Sequence, residues 1–318
     1  MRRALRAAAL LLAVATLAFA AIHAAPGAPF QPADGRALDP VAAAGLRARF
    51  ALDAPLPVQY ARWLAAAVQG DLGESFSRQR PVRDVLAAAL PHSLLLAAAA
   101  LLVDLLVGIA LGAWQAAHAG SRGDRVLSAF TMSVQAVPVF WLGLVLVLVF
   151  AQWWHWLPVG GATDPVTHDL LTAAGRWLDR LRHLALPALT LGLAGAAGTA
   201  RFVRGAMRDA WHEDHVRTAR AMGVPERTIL LRHVLRDAWL PLATLVGLAI
   251  PGLIGGAVLV ETVFSWPGIG RVATDAILAR DHPLVVGTAL VSAAAVVLGG
   301  LVGDLLAAWA DPRVRRSA

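Results

Sequence analysis

Apolar residues along this 318-residue chain gather into six long runs, roughly 7 to 25, 93 to 117, 126 to 150, 183 to 200, 241 to 264 and 284 to 308, and no arginine interrupts any of them. Each run holds about 18 to 25 residues, and a hydrocarbon core about 30 Å thick is crossed by about 20 helical residues at 1.5 Å rise. The pattern predicts six transmembrane helices with both termini on one side. Segment 26 to 92 is the longest stretch between runs and the only sizeable soluble portion. In it Tyr60, Trp63, Leu64, Ala67 and Val68 recur at i, i+3, i+4, i+7 and i+8, which predicts an amphipathic helix. Its apolar face either lies along the outer membrane surface or packs on the chain's own helices. Gly192, Gly195 and Gly198 in the fourth run, and Gly252, Gly255 and Gly256 in the fifth, allow close helix approach where lipid supplies no hydrophobic drive. Those faces serve rigid packing or slide against each other.

Composition agrees with a bilayer environment: 58% of residues are apolar and 15% charged, against about 45–50% and about 25% in soluble domains. All 28 basic residues are arginine and there is no cysteine. A P-loop lysine, a Schiff base, a Ser–Lys dyad, thiolate metal sites and a cysteine nucleophile are therefore excluded. A pI near 11.3 would suit nucleic acid, but the arginines are sorted around the apolar runs, so nucleic acid is not an expected partner. With a cytoplasmic N-terminus the inside segments carry 16 arginines in 64 residues and the outside segments 12 in 118. This asymmetry predicts an N-in, C-in topology. Trp114, Trp153, Trp154, Trp156, Trp239, Trp266 and Trp309 flank the runs, where amphipathic rings sit at headgroup level. Arg2, Arg3 and Arg6 before the first run also fit a cleavable signal peptide. Cleavage would put the arginine-rich 201 to 240 loop and C-terminal tail on opposite sides, so the run is read as a retained helix.

The longest charged inside stretch is 201 to 240, with eight arginines and five carboxylates. Arg217 to Met222 has helical propensity, Gly223 ends a helix through positive φ, and Pro225 starts the next. The expectation is a knee of two short helices below the membrane, suited to a partner's cleft. His212, Glu213, Asp214 and His215 are one residue short of the His-Glu-x-x-His zinc spacing and are read as a solvated face, with no metal assigned. Asp104, Glu261 and Asp304 are the acidic residues within the runs. Glu261 and Asp304 lie near span ends, within reach of water or an interfacial partner. Asp104 is mid-span and either lines a translocation path or hydrogen-bonds to another helix.

The loop resembles the cytoplasmic loop of bacterial ABC importer permeases, Glu-Ala-Ala, three residues, Gly, nine residues, Ile-x-Leu-Pro. Ala219, Gly223 and Leu235 match it, while Arg217 and Thr218 replace Glu-Ala, and His233 and Arg236 replace the isoleucine and proline. The form RTARAMG followed by RHVLRDAWLP is similar to the first permease subunit of the dipeptide, oligopeptide and nickel branch. Further blocks similar to that branch are LDAPLPVQYARW (52 to 63), GDLG (70 to 73), PVFWLG (138 to 143), LPAL (186 to 189), ETVFSWPGIG (261 to 270) and ARDHP (279 to 283).

The resemblance implies an all-α membrane protein of the type I ABC importer permease fold: a first helix plus outer segment over 1–92, and a five-helix core over 93–318. Asp214, Arg217, Thr218, Ala219, Ala221, Gly223, Pro225 and Leu235 are the expected ATPase-coupling residues, and Asp104 is the translocation-path candidate. It implies a non-catalytic subunit without cofactor, with ATP bound by partners. Those partners would be two ATP-binding subunits or domains, a second permease and an outside substrate-binding protein. Cargo classes in that branch include dipeptides, oligopeptides, nickel complexes, opines and glycosides. A self-contained carrier or channel is the alternative, and it would need midplane relay residues or broken helices, and often inverted repeats.

Overall fold

The computed structural model describes residues 2–24, 54–235 and 257–310. Among them three helices are long and apolar enough to cross a membrane, Val82–Ala117, Ala173–Ala210 and His282–Gly303. The first run forms the helix α1 (Arg2–Ala24). Residues 241 to 256 of the fifth lie outside the described residues, and 257–263 are helical.

The third run departs from the expected continuous span. Its residues form α4 (Arg122–Ala136) and α5 (Val139–Leu146, continued as a π turn over Val147–Trp153), which meet at 105°. Pro138 is the cause. The residue before a proline is pushed out of the helical region, and Val137 is extended at φ −78, ψ 130. The run as a whole is apolar enough to continue the span, but backbone sterics override hydropathy.

The described chain clusters into two compact units, one comprising residues 1–93 and 267–297, the other 94–266 and 298–318. In the first, α2 (Leu56–Val68) turns Trp63 and Tyr60 onto α1. Phe19 meets Tyr60 edge-on at 5.2 Å, and the Thr16 and Tyr60 hydroxyls are 2.7 Å apart. Of the two readings of this amphipathic face, packing on the chain's own helix is the one observed. A two-residue hairpin follows, β1 (Glu74–Ser75) against β2 (Arg80–Pro81), antiparallel. It leads into α3 (Val82–Ala117), where Val82, Val85, Leu86 and Ala89 pack on Ile269, Val272 and Ala276 of α9 (Ile269–Leu278) and on Leu284 of α10 (His282–Ala310). Buried Asp281 joins these parts. Its Oδ2 accepts from Ser75 Oγ at 2.6 Å, Ser77 N at 2.9 Å and Ser77 Oγ at 2.7 Å, and its Oδ1 accepts from Leu284 N in the first turn of α10.

In the second unit α6 (Ala173–Ala210) crosses α3 closely. A methyl at Gly192 would lie 2.5 Å from Val103 Cβ, one at Gly108 2.7 Å from Thr199 Cβ, and one at Gly112 would run into the Ala200 carbonyl. The two backbones thus touch through the small residues that the sequence placed there. Leu96, Leu186, Leu191, Val260, Phe264 and Trp266 form the main core. Trp266 is 1% exposed, so it is a core side chain and not part of the expected headgroup belt, whereas Trp114, Trp153, Trp154 and Trp156 are exposed. Glu261 is likewise fully buried and does not reach water. The side chains of Asp304, Trp239 and Trp309 lie outside the described residues.

Between α5 and α6 the chain is closed by a carboxylate shared between two histidines. Asp179 accepts from His168 Nδ1 at 2.6 Å and from the Asp164 amide at 3.1 Å, and stands 3.1 Å from His183 Nδ1. Burial raises the Asp179 pKa, but the Asp164 amide and the His168 ring outweigh it, so the carboxyl sits below its ordinary value.

Candidate functional site

The knee predicted around Gly223 is present. α7 (Asp214–Ala221) ends at Met222, and Gly223 follows at φ +78. The Val224 amide donates to the Ala219 carbonyl at 3.1 Å and the Gly223 amide to Arg220 at 3.0 Å, the paired 6→1 and 5→2 bonds of a Schellman stop. Pro225 caps the next turn, α8 (Glu226–Thr228), and stands just before it, not in its first helical position. A π turn over Ile229–Val234 completes the second arm. Arg220 bridges the two arms, donating through Nε to Glu226 Oε1 at 2.7 Å. That hydrogen bond holds the Glu226 carboxyl below its ordinary range and raises the Arg220 guanidinium.

The two faces of α7 differ. Val216 and Ala219 are buried against Val203, Met207 and Ala210 of α6, Ala116 of α3, and Ile229 and Val234 of the second arm. Asp214, Arg217, Thr218 and Ala221 are exposed, and their i, i+3, i+4, i+7 spacing makes them one stripe. Of the residues singled out from the sequence, Ala219 is an inner packing residue, Leu235 packs at the edge of the same cluster, and the rest lie on the outer face or at the corner.

One pair below the knee escaped the sequence reading. Arg204 of α6 makes a two-pronged ion pair with buried Asp124, Nε to Oδ1 at 2.8 Å and Nη2 to Oδ2 at 2.7 Å. Asp124 also accepts from the Gly120 amide, and its own amide donates to Ser121 Oγ, the N-cap of α4. The Arg204 hydrogen bonds hold the Asp124 carboxyl below its ordinary range. The Ser-x-x-Asp spacing at 121 to 124 carried a capping signal, but nothing local named Arg204 as partner.

Residues 108–316 match the family described as binding-protein-dependent transport system inner membrane component, and residues 1–97 match the family describing the N-terminal part of such membrane components. The chain belongs to this transport family. It is 37% identical to the oligopeptide transport system permease protein AppB of Bacillus subtilis (strain 168), over 98% of both chains. It is 38% identical to the di/tripeptide transport system permease protein DppB of Pseudomonas aeruginosa (strain UCBPP-PA14), over 95% of this chain and 94% of that one. Against the dipeptide transport system permease protein DppB of Escherichia coli (strain K12) the identity is 33%, over 96% and 94%.

This inner membrane component holds Asp104 at the α3–α6 crossing. The side chain is 3% exposed, and a methyl at Gly195 of α6 would stand 2.8 Å from its Oδ2. Its Oδ1 has no hydrogen-bond partner among the described residues. Asp104 is thus packed against Gly195 of α6. The ETVFSWPGIG block also acquires a physical role: its helix stops through the Trp266 amide on Glu261 O, with Ser265 at φ +51, which turns Trp266 into the core.

Proposed function

We propose that this chain is one permease subunit of an ATP-driven peptide importer. It would form the translocation path with a second permease, energised by two ATP-binding subunits or domains and supplied by a substrate-binding protein. The observation that carries the reading is the knee. A short helix with a buried inner edge, a fixed corner and an exposed stripe of Asp214, Arg217, Thr218 and Ala221 is built to be gripped from outside. The relatives' printed cargoes, oligopeptides and di- or tripeptides, support peptide as the substrate class.

In this reading the chain has six spans, N-in and C-in, divided into 1–92 and the permease core 93–318, with the 201 to 240 loop cytoplasmic. The packing of Phe19 on Tyr60 and Trp63 of α2 supports a retained α1. The subunit itself holds no cofactor, and ATP is hydrolysed by its partners. Asp104 sits on a helix that borders the path.

Reconstitution tests the proposal. In proteoliposomes the chain alone should neither hydrolyse ATP nor accumulate peptide. With its second permease, ATPases and binding protein it should do both, and liganded binding protein should stimulate hydrolysis. Ion-gradient-driven uptake by the chain alone would establish the self-contained carrier instead.

A further inference from the structure

α4 carries its charges on two sides. Asp124 is the only acidic residue from His118 to Ala136, and it is buried and committed inward, to Arg204, the Gly120 amide and the Ser128 hydroxyl. Arg122 and Arg125 are exposed and have no acidic partner among the described residues. Exposed Arg201 stands one turn before Arg204 on α6, and so on the side that meets α4. Three guanidinium groups therefore gather where the carboxylate is already spent.

An apolar edge runs beside them. Gly123, Val126 and Phe130 recur at i, i+3 and i+7, with Val126 70% and Phe130 60% exposed. Trp114 of α3 extends this edge, because a methyl at Gly123 would stand 2.7 Å from its Cη2, and its ring stacks on His118 at 4.6 Å. With α5 as the third crossing, the 105° bend lays α4 about 15° from the membrane plane. Arg201 and Arg204 follow directly on the apolar run of α6, which sets α4 at the boundary of the hydrocarbon. A helix in that plane sinks its apolar edge among acyl chains and keeps its arginines at headgroup level. A protein covering the same face would have to bury three guanidinium groups and supply a carboxylate for each.

We propose that α4 is an interfacial helix and that Arg122, Arg125 and Arg201 form a binding site for the phosphodiester of an anionic phospholipid in the cytoplasmic leaflet, whose acyl chains lie along Val126 and Phe130. The proposal goes beyond the importer reading and rests on its N-in, C-in topology, not on its cargo.

The chain has no cysteine, so Val126→Cys carries a single fluorescent label on this subunit. The complete importer, assembled with cysteine-free partners, is placed in phosphatidylcholine nanodiscs that contain brominated phosphatidylglycerol or brominated phosphatidylcholine at equal mole fraction. Quenching should favour phosphatidylglycerol about fivefold, the effect of one basic residue at an anionic surface. The double variant Arg122→Gln/Arg125→Gln should bring the ratio to one, Arg201→Gln should lower it in part, and Arg122→Lys should keep most of it. A label at Phe130→Cys should report the same preference. The ratio is internal to each variant, so it does not move with the folded fraction. Equal quenching by the two lipids, or an unchanged ratio in the double variant, would overturn the site. Absence of quenching by either lipid would mean that a protein partner covers the edge, and loss of the preference on adding inorganic phosphate would make it a site for soluble anions; each overturns the proposal. A tag near Glu226 tests the topology separately. A cytoplasmic tag with equal quenching sinks the lipid site alone, and an outside tag sinks the topology that places it.

Discussion

Removing the Asp124 carboxylate should loosen the support beneath the knee. In Asp124→Ala, the Arg204 guanidinium loses both of its short contacts, at 2.7 and 2.8 Å, and the Gly120 amide loses its acceptor. Breaking one partner out of a buried ion pair typically costs about 3–5 kcal/mol. Arg204 keeps 27% of its side chain exposed and can be partly rehydrated, which brings the expected loss to about 2–3 kcal/mol. Asp124→Asn keeps an oxygen for Gly120 but loses the charge and one of the two prongs, for about 1–2 kcal/mol. The assay is hydrogen exchange in the detergent-solubilised complex, read at the first two turns of α4 and at 201–208 of α6. Asp124→Ala should raise opening rates there by about 30- to 150-fold. Arg204→Met should have a similar effect, because it leaves Asp124 buried with its charge. The double variant should lose less than the sum of the two, since neither charge is then stranded. Simple additivity would refute the pairing, whatever the size of the single effects.

Gly223→Val should cost about 1–2 kcal/mol through the positive φ alone, and should cut transport-coupled ATP hydrolysis while membrane insertion, read by fractionation, stays intact; normal coupling would count against the knee. Gly195→Ile places a branched side chain against Asp104 and should push α3 and α6 apart, seen as a fall in folded yield on gel filtration, whereas Gly205→Ala, with open space around it, should leave yield unchanged. A tag near Glu226 should be cytoplasmic and one near Asp34 periplasmic, and labelling of position 226 from outside would overturn the topology. The Asp124 pKa is lowered from 3.8 by its hydrogen bonds to Arg204. Its stabilising contribution is therefore complete above that value and fades only as pH falls through the lowered one. Exchange protection of α4 should accordingly be flat between about pH 5 and 8 and erode below about pH 4; a step near pH 6 would point to histidine instead.

Hydropathy made the membrane helices legible because burial in lipid acts on every residue of a run at once. Backbone geometry was legible where one residue type decides it, as at Gly223 and Pro225. Pro138 stood equally in view, yet inside an apolar run its restriction on Val137 was masked by the stronger periodic signal. Trp266 was misread for a related reason. Its position near the end of a run suggested an interface, but the Ser265 turn at φ +51 directs it inward. No local pattern distinguishes a tryptophan bound for headgroups from one bound for a core. Asp124 and Arg204 stand 80 residues apart, and pairing of that kind depends on which helices cross, which a single sequence leaves open.

α6 places its contacts in an order that has a mechanical consequence. Its 38 residues extend about 57 Å at 1.5 Å per residue, nearly twice a hydrocarbon core. Gly192 and Gly195 fix it to α3 beside Asp104, within the apolar run. Past that run, Arg204 fixes it to α4, and Val203, Met207 and Ala210 carry the inner face of α7. Glycine contacts of this closeness leave no compliant side chain between the backbones, and the Arg204–Asp124 fork resists rotation of the helix about its own axis. A force applied to the outer stripe of α7 therefore has little soft material to deform before it reaches the α3–α6 crossing. In the proposed importer, coupling between the ATP-binding partners and the translocation path would need that kind of stiffness, which here resides in small residues and one buried ion pair.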